Sequence, residues 1–295
     1  TTANIDSSIS SVNLAVGSDS GTVTFGAGTN TLTLGTTGSA GALTVTDTGL
    51  ATTDVLNIAT SKAADSGNGG AVTINGFETV NLSSSTATAK TFGAITVNGD
   101  PDAAGVNTSA TLDIDGTAAV SAAAITLGHT TTGTGTINAS DLAGNFVQSA
   151  AAVGVTTITG GAGNDTIKGE ADLASTLTGG AGNDSITGGT AADTISGGAG
   201  NDTFTLTNAA TAAAKDTITG GAGNDTFSTS DANLDAAHVL SGGDGTDTLS
   251  LTDITAVTDA QLENNTSIEV LTSAATGLNA TLDSYAQAMG LTTIT

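Results

Sequence analysis

The amino-acid sequence predicts an all-β protein that winds as a right-handed parallel β-helix or β-roll, that is, a β-solenoid. Short runs of alternating apolar and polar residues recur about every ten residues, with Gly, Ser, Thr and Asp between them, as expected for successive strands and turns. A nine-residue unit rich in glycine and aspartate repeats in the middle of the chain. Val, Ile, Leu and Phe make up only about a fifth of the residues, which favours a narrow stacked core over a globular one.

Residues 1–154 form the first predicted region, an irregular β-solenoid or β-rich segment. A β-sandwich would give similar runs, but the irregular spacing and the scarcity of large core residues favour the solenoid. A polar loop is expected over Ser61–Gly70, a turn at Pro101, and a turn that closes a coil over Asn138–Leu142. The candidate strands are Val12–Val16, Val23–Phe25, Leu32–Leu34, Leu43–Val45, Val55–Ile58, Ile95–Val97, Thr111–Asp115, Ile125–Leu127 and Thr136–Asn138.

Residues 155–252 form the second predicted region, which contains the repeated unit. Its first copy, Gly160–Lys168, reads Gly-Gly-Ala-Gly-Asn-Asp-Thr-Ile-Lys. All copies follow the pattern G-G-x-G-x-D-x-U-x, in which U is a large apolar residue, and U should point inward because strand side chains alternate. The further copies begin at Gly179, Gly197, Gly220 and, more loosely, Gly242.

The spacing within the unit suits a calcium ion. Glycines at the first, second and fourth places permit positive φ and let the backbone curl tightly. The aspartate at the sixth place supplies a hard carboxylate oxygen and the turn supplies backbone carbonyls, which matches the roughly six to eight oxygen ligands of Ca²⁺. The predicted metal-site residues are Asp165, Asp184, Asp193, Asp202, Asp216, Asp225 and Asp247, with Gly161, Gly163, Gly180, Gly182, Gly198, Gly200, Gly221, Gly223, Gly243 and Gly245.

Two nonapeptides make one coil of about 18 residues, so successive turns should alternate between two edges of the solenoid. The gaps between five turns on the sound edge, with one or two weaker sites opposite, predict about four to six Ca²⁺ ions. Such a ladder of aspartates would repel itself strongly without cations. The sixth-place residues of the sound edge are Asp165, Asp184, Asp202, Asp225 and Asp247. Those of the opposite edge, whose turns have lost glycines, are Ser175, Asp193, Asp216 and His238.

The repeated unit resembles the nonapeptide of RTX-type calcium-binding β-rolls. A second repeated element pairs an aspartate strand with a glutamate strand, Asp54 with Glu78 and Asp247 with Glu269. This couplet, the Thr-, Ala- and Ser-rich strands and the near absence of basic residues resemble the coils of RTX-class bacterial surface-layer (S-layer) proteins. The resemblance implies a secreted segment that assembles with copies of itself through calcium on the cell surface.

Two other functions stay open at this point. The same repeats occur in the stalks of RTX adhesins and in the secretion and folding tails of proteins exported by the type I route. The chain ends on Leu291–Thr295, a strand cut off in mid-pattern, and Thr1–Ser11 has no signal peptide, so we expect a piece of a longer protein. A cell-surface polysaccharide, bound through regions outside this chain, is a further expected partner.

The composition argues against several functions. A net charge of −24, with four lysines and no arginine, excludes nucleic acid as a partner because nothing could neutralise phosphates. Direct membrane insertion is not expected, since no apolar run approaches about 18 residues. Catalysis is not expected either, because cysteine is absent and the two histidines, His129 and His238, are isolated.

Acidic residues outside the repeats are expected to be structural. Asp113 and Asp115 resemble the start of an EF-hand loop, but its twelfth position would be Ala124 rather than glutamate. Asp100 and Asp102 flank Pro101 and are expected in a solvated turn.

Residues 253–295 form the third predicted region, in which the solenoid coils continue. Helical turns are expected over Thr258–Glu263 and Tyr285–Met289, and helix is otherwise expected to be scarce.

Overall fold

The computed structural model describes residues 2–4, 11–14, 21–26, 28–34, 42–48, 54–60, 70–84, 89–99, 109–128, 134–207, 215–230, 234, 238–253, 256–274 and 279–295. Nearly all regular structure within these residues is parallel β-strand, stacked coil upon coil as a β-solenoid, which confirms the predicted fold class. The chain divides into two compact units, residues 1–163 and 164–295. The predicted region borders after residues 154 and 252 stay predictions.

The described residues of the first unit include fourteen strands, which alternate between two parallel sheets. The odd-numbered strands pair with one another in chain order, and so do the even-numbered strands. Each candidate strand of the sequence lies within or overlaps one of them. The strands are β1 Thr2–Asn4, β2 Ser11–Leu14, β3 Gly21–Phe25, β4 Thr29–Leu34, β5 Leu43–Asp47, β6 Val55–Thr60, β7 Val72–Asn75, β8 Thr79–Ser84, β9 Lys90–Asn98, β10 Ser109–Gly116, β11 Val120–Gly128, β12 Thr134–Asn138, β13 Phe146–Gln148 and β14 Thr157–Thr159.

The core of the first unit consists of columns of aliphatic side chains. In the odd-numbered sheet, the register places Val23, Val45, Ile74, Val97 and Leu127 next to one another, and each is buried. The alternation of buried and partly exposed residues along each strand puts threonine and asparagine on the outer face. Full burial of each aliphatic side chain stabilises the fold by about 1.5–3 kcal/mol.

The second unit repeats this architecture with shorter strands. Strands β15, β17, β19, β21, β23, β25 and β27 form one parallel sheet, β16, β18, β20 and β22 form another, and β24 pairs with β26. The strands are β15 Thr166–Lys168, β16 Thr176–Ala181, β17 Ser185–Thr187, β18 Thr194–Ala199, β19 Thr203–Thr205, β20 Thr217–Ala222, β21 Thr226–Thr229, β22 Val239–Asp244, β23 Thr248–Leu251, β24 Ala256–Thr258, β25 Val270–Ser273, β26 Asn279–Thr281 and β27 Thr293–Ile294.

The apolar residue of each nonapeptide points inward, as predicted. Two of these side chains, Phe204 and Phe227, stack with their ring centroids 5.0 Å apart and lie directly next to each other in the register. The residues of this kind are all buried, namely Ile167, Ile186, Ile195, Phe204, Ile218, Phe227 and Leu249.

Helix is confined to two short segments among the described residues. A 3₁₀-helix spans Asp259–Leu262 and an α-helix, α1, spans Ser284–Met289, which confirms the two predicted helical turns. The carboxylate of Asp259 ties the two together, because it accepts backbone N–H groups at the start of α1 from Tyr285 and Ala286. No helix in the part of the chain that the structure describes has the length and apolar character needed to cross a membrane.

The turns connecting these strands were partly foreseen. The predicted coil-closing turn is present at Ser140 and Asp141, before the buried Leu142. Most of the predicted polar loop and the turn at Pro101, with Asp100, Asp102 and His129, lie outside the described residues.

Candidate metal centre

A ladder of aspartates joins the coils along one edge of the second unit. From the second aspartate onward, Oδ1 accepts the backbone N–H of the equivalent aspartate in the preceding coil. Asp184 accepts from Asp165 at 2.7 Å and Asp202 accepts from Asp184 at 2.8 Å. Asp225 accepts from Asp202 at 2.8 Å and Asp247 accepts from Asp225 at 2.7 Å. The five sixth-place aspartates therefore share one edge, as their spacing predicts.

The opposite edge carries a shorter ladder of the same kind. Ser175 donates its backbone N–H to Oδ1 of Asp193 at 2.7 Å, and Asp193 donates its own to Asp216 at 2.9 Å. The ladder continues to His238, whose Nδ1 accepts the backbone N–H of Asp216 at 3.1 Å. An imidazole thus takes the place of a carboxylate, so this edge has only two aspartates, as expected for the degraded side.

The second carboxylate oxygen is the feature that points to a cation. Asp184, Asp202, Asp225 and Asp247 are all buried, and among the described residues Oδ2 of each has no hydrogen-bond partner. An unpaired buried carboxylate oxygen is strongly unfavourable unless a counter-charge satisfies it. Four such atoms on successive coils form a row of hard oxygen donors of the kind that Ca²⁺ prefers.

The pKa values of these carboxyls are raised, because burial makes their charged form unfavourable. Burial raises the pKa of Asp184 to about 7, and repulsion from Asp165 and Asp202 adds to the rise, although the N–H of Asp165 opposes it. Burial also raises the pKa of Asp225 to about 6 and shifts the pKa values of Asp202 and Asp247 upward. Without metal, ionisation of these carboxyls is therefore less favourable near neutral pH than it is for an exposed aspartate.

The glycines of the turns have two different roles, which corrects the prediction that all three permit positive φ. The second- and fourth-place glycines have positive φ, for example 122° at Gly198 and 129° at Gly200. The first-place glycine does not, and it is required for space. A Cβ on Gly197 would overlap Oδ2 of Asp202 in the same turn, so the missing side chain leaves room for that oxygen. The remaining positive-φ glycines of these turns are Gly180, Gly182, Gly221, Gly223, Gly243 and Gly245.

The first turn of the block differs from the other four. Gly161 and Gly163 do not have positive φ, contrary to the prediction, and they instead bring the backbone close to earlier residues. A Cβ on Gly161 would overlap the carbonyl oxygen of Leu142, and one on Gly163 would lie 2.6 Å from the backbone nitrogen of Asn145. Four turns share one conformation, so three gaps lie between turns of the same shape rather than the expected four.

A second ladder, of asparagines, runs beside the aspartates and was missed from the sequence. Asn164 Oδ1 accepts the backbone N–H of Asn183 at 2.8 Å, and Asn183 Oδ1 accepts that of Asn201 at 2.7 Å. In the same way, Asn201 Oδ1 accepts the backbone N–H of Asn224, and Asn224 Oδ1 accepts that of Thr246, where the series ends. Each asparagine accepts from the following coil, whereas the aspartates accept from the preceding coil. Asparagine at the fifth place of all four stricter repeats was the signal that could have revealed it.

A metal ion at this edge would need backbone carbonyl oxygens as well as side chains for ligands. Among the described residues, no three Asp, Glu, His or Cys side chains come together in a way that could hold a metal ion. A cation at the ladder would therefore be held by one or two carboxylates together with backbone carbonyls, as the glycine-rich turns predict. Asp113 takes no part in this ladder, because it lies on β10 and accepts the side-chain amide of Asn138 at 2.8 Å.

Comparison with known proteins agrees with this geometry. The family model of the RTX calcium-binding nonapeptide repeat matches residues 153–172, 174–204 and 212–233, with four copies of the repeat. Repeats of this family bind calcium and are typical of secreted proteins. No curated protein matches the chain, and no solved structure matches it.

Proposed function

We propose that this chain is a calcium-stabilised structural segment of a secreted bacterial surface-layer protein, which assembles with copies of itself on the cell surface. The observation that carries the proposal is the row of four buried Oδ2 atoms, on Asp184, Asp202, Asp225 and Asp247, that lack a hydrogen-bond partner among the described residues. A protein that depends on such a row needs a cation to become stable, and calcium is plentiful outside cells.

Calcium acts in this proposal as part of the fold. The four aspartates and the carbonyls of their turns would hold the ions, and each bound ion would remove the repulsion between successive carboxylates. Because the unfolded chain offers no preformed site, binding free energy becomes folding free energy. Extracellular calcium modules bind with Kd values of about 10⁻⁴–10⁻³ M, so the segment would stay unfolded until export.

The number of ions follows from the turns. Three gaps separate the four turns of common conformation, and Asp165 and the Asp193–Asp216 edge offer further donors. We propose about four to six Ca²⁺ ions, at the low end if the first turn binds weakly.

The surface-layer role is supported by three features of the chain. Two of them, the couplets Asp54–Glu78 and Asp247–Glu269 and the Thr-rich strands, resemble the coils of RTX-class surface-layer proteins. The net charge of −24 gives copies of the chain acidic faces that repel unless calcium bridges them. Copies of this chain are therefore the proposed partner, and calcium the proposed link. We assign no catalytic role to the chain.

The RTX repeats are also compatible with the secretion and folding tail of a type I-exported protein, or with the stalk of an adhesin. These alternatives differ from the surface-layer proposal in self-association. A tail or stalk should bind calcium and fold but remain monomeric.

The test is assembly of the protein with and without calcium. Sedimentation and negative-stain electron microscopy of the full-length parent should show ordered sheets at millimolar Ca²⁺ and dispersed particles in EGTA. Magnesium at the same concentration is the matched control for simple charge screening and should not give sheets. A folded protein that stays monomeric at millimolar calcium would contradict the surface-layer role and leave the tail or stalk.

A further inference from the structure

The end of the aspartate ladder has a specific bonding pattern. Asp247 accepts the N–H of Asp225 through Oδ1 at 2.7 Å, and it donates its own N–H to Oε2 of Glu269 at 2.8 Å. Its carbonyl accepts the N–H groups of Glu269 and Val270 at 3.1 and 3.0 Å. Glutamate thus replaces aspartate as the acceptor in the coil after Asp247, and its longer side chain reaches the same backbone donor.

The same pattern occurs in the first unit, far from the glycine-rich block in the sequence. Oδ1 of Asp54 accepts the N–H of Gly28, and Asp54 donates its own N–H to Oε2 of Glu78 at 2.6 Å. The carbonyl of Asp54 accepts the N–H groups of Glu78 and Thr79, both at 3.2 Å. Each bond at Asp247 has a counterpart at Asp54, so the two aspartates hold equivalent positions in their coils.

Asp54 also shares the feature that points to a cation at Asp247. Both residues have an exposed fraction of 0%, and Oδ2 of each has no hydrogen-bond partner among the described residues. Hydrogen bonds to Oδ1 alone do not satisfy a buried carboxylate, which needs a counter-charge or a proton for the second oxygen. The carboxylate of Glu78 lies beside it and adds a second negative charge to the same place.

We propose that Asp54 and Glu78 form a further calcium site in the first unit, outside the nonapeptide repeats. Asp54 Oδ2 is the ligand, and Glu78 positions Asp54 through its backbone N–H and adds negative charge. Asp54 Oδ2 and the neighbouring Glu78 carboxylate are oxygen donors, which favour a hard cation such as Ca²⁺. This inference rests on the proposed function, because it takes Asp247 to be a calcium ligand.

The test compares the two equivalent aspartates in the full chain. Asp54→Asn and Asp247→Asn each keep an amide oxygen for the backbone N–H that Oδ1 accepts, and each removes the charge. Calcium stoichiometry would be measured by equilibrium dialysis with elemental analysis, and terbium luminescence would report binding independently. Asp283→Asn, at an exposed position that belongs to neither ladder, is the matched control.

We expect Asp54→Asn and Asp247→Asn each to bind one ion fewer than the parent and Asp283→Asn to bind the same number. If Asp247→Asn loses an ion and Asp54→Asn does not, the site at Asp54 is overturned while the proposed function stands. If neither variant loses an ion, the calcium role proposed for the ladder fails as well.

A second variant keeps the test decisive if Asp54→Asn does not fold. Glu78→Gln preserves an oxygen acceptor for the N–H of Asp54 and removes only the nearby charge. It should weaken the affinity of one ion by about 10-fold, as is typical when a group that orients a metal ligand is changed. Unchanged affinities for all ions in Glu78→Gln would overturn the site.

Discussion

Oδ1 of Asp225 accepts the backbone N–H of Asp202 at 2.8 Å, whereas Oδ2 of the same carboxylate has no hydrogen-bond partner among the described residues. One oxygen therefore joins two coils and the other is left for a ligand. The same arrangement recurs along the edge, because the aspartates are spaced one coil apart in the sequence. The result is a row of carboxylate oxygens that can bind cations.

Removing one carboxylate from the sound edge should matter more than removing one from the degraded edge. Asp202→Asn keeps an oxygen for the N–H of Asp184 and deletes the charge in the middle of the row. We expect the calcium concentration at the folding midpoint to rise about 10-fold, equivalent to about 1.4 kcal/mol. Calcium titrations followed by circular dichroism would measure it.

The matched control for that change is Asp216→Asn, on the edge where His238 replaces an aspartate. Its midpoint should move much less. Equal shifts in the two variants would show that the two edges do not differ in calcium binding.

The metal-free fold should be more stable in mild acid than at neutral pH. Burial raises the pKa of Asp184 to about 7 and those of Asp193 and Asp225 to about 6, from an ordinary value of 3.8. The folded state therefore holds protons that the unfolded chain has released, so stability is present below about pH 4 and is lost as pH rises towards 7. Urea unfolding in calcium-free buffer, from pH 4 upward over the range in which the metal-free chain is still folded, would measure the slope.

Asp184→Asn serves as the control for this pH dependence. The amide does not titrate, so the loss of stability between pH 4 and 7 should be smaller than in the parent. A metal-free stability that increases over this range would contradict the expected sign.

The positive-φ glycines should tolerate no side chain. Gly198 has φ of 122°, and a Cβ there would overlap the carbonyl oxygen of Gly180 in the preceding coil. We expect Gly198→Ala to lower the free energy of unfolding by about 1–3 kcal/mol or more in saturating calcium. Urea unfolding would measure the loss, with the neighbouring exposed Ala199→Ser expected to change it by less than about 0.5 kcal/mol. Similar values for both variants would contradict the strain at Gly198.

The asparagine ladder should contribute independently of calcium. Asn201→Ala removes the acceptor for the N–H of Asn224 and should lower the free energy of unfolding by about 0.5–1.5 kcal/mol without changing ion stoichiometry. Asn201→Asp keeps an oxygen at that place and is the control, expected to be closer to the parent in saturating calcium. Loss of an ion in Asn201→Ala would mean that the asparagines belong to the metal site.

The two edges could be predicted because the sequence distance between aspartates sets their place in the coil. Asp184 and Asp202 are one coil apart, and the backbone of a solenoid brings such residues into contact whatever the side chains between them. The alternating strands of the first unit were predicted for a similar reason, since small polar residues separate the apolar residues regularly, as in Leu43–Asp47.

The conformation of the first turn could not be predicted in the same way. Gly161 and Gly163 stand in the same pattern as the later glycines, but their φ angles depend on earlier neighbours, Leu142 and Asn145, which the pattern does not include. The role of Gly197 was missed because it arises from the position of Asp202 Oδ2 rather than from backbone freedom. The equivalence of Asp54 and Asp247 was visible as a couplet in the sequence, but the unsatisfied oxygen they share was not.

The most direct test of the central claim is the far-ultraviolet circular dichroism of the full chain as a function of free calcium. If calcium completes the fold, the strand signal should be absent in excess EGTA at pH 7.5, should appear cooperatively as calcium approaches the millimolar range, and should not appear with magnesium alone. A strand spectrum that is the same in EGTA and in millimolar calcium would contradict the account.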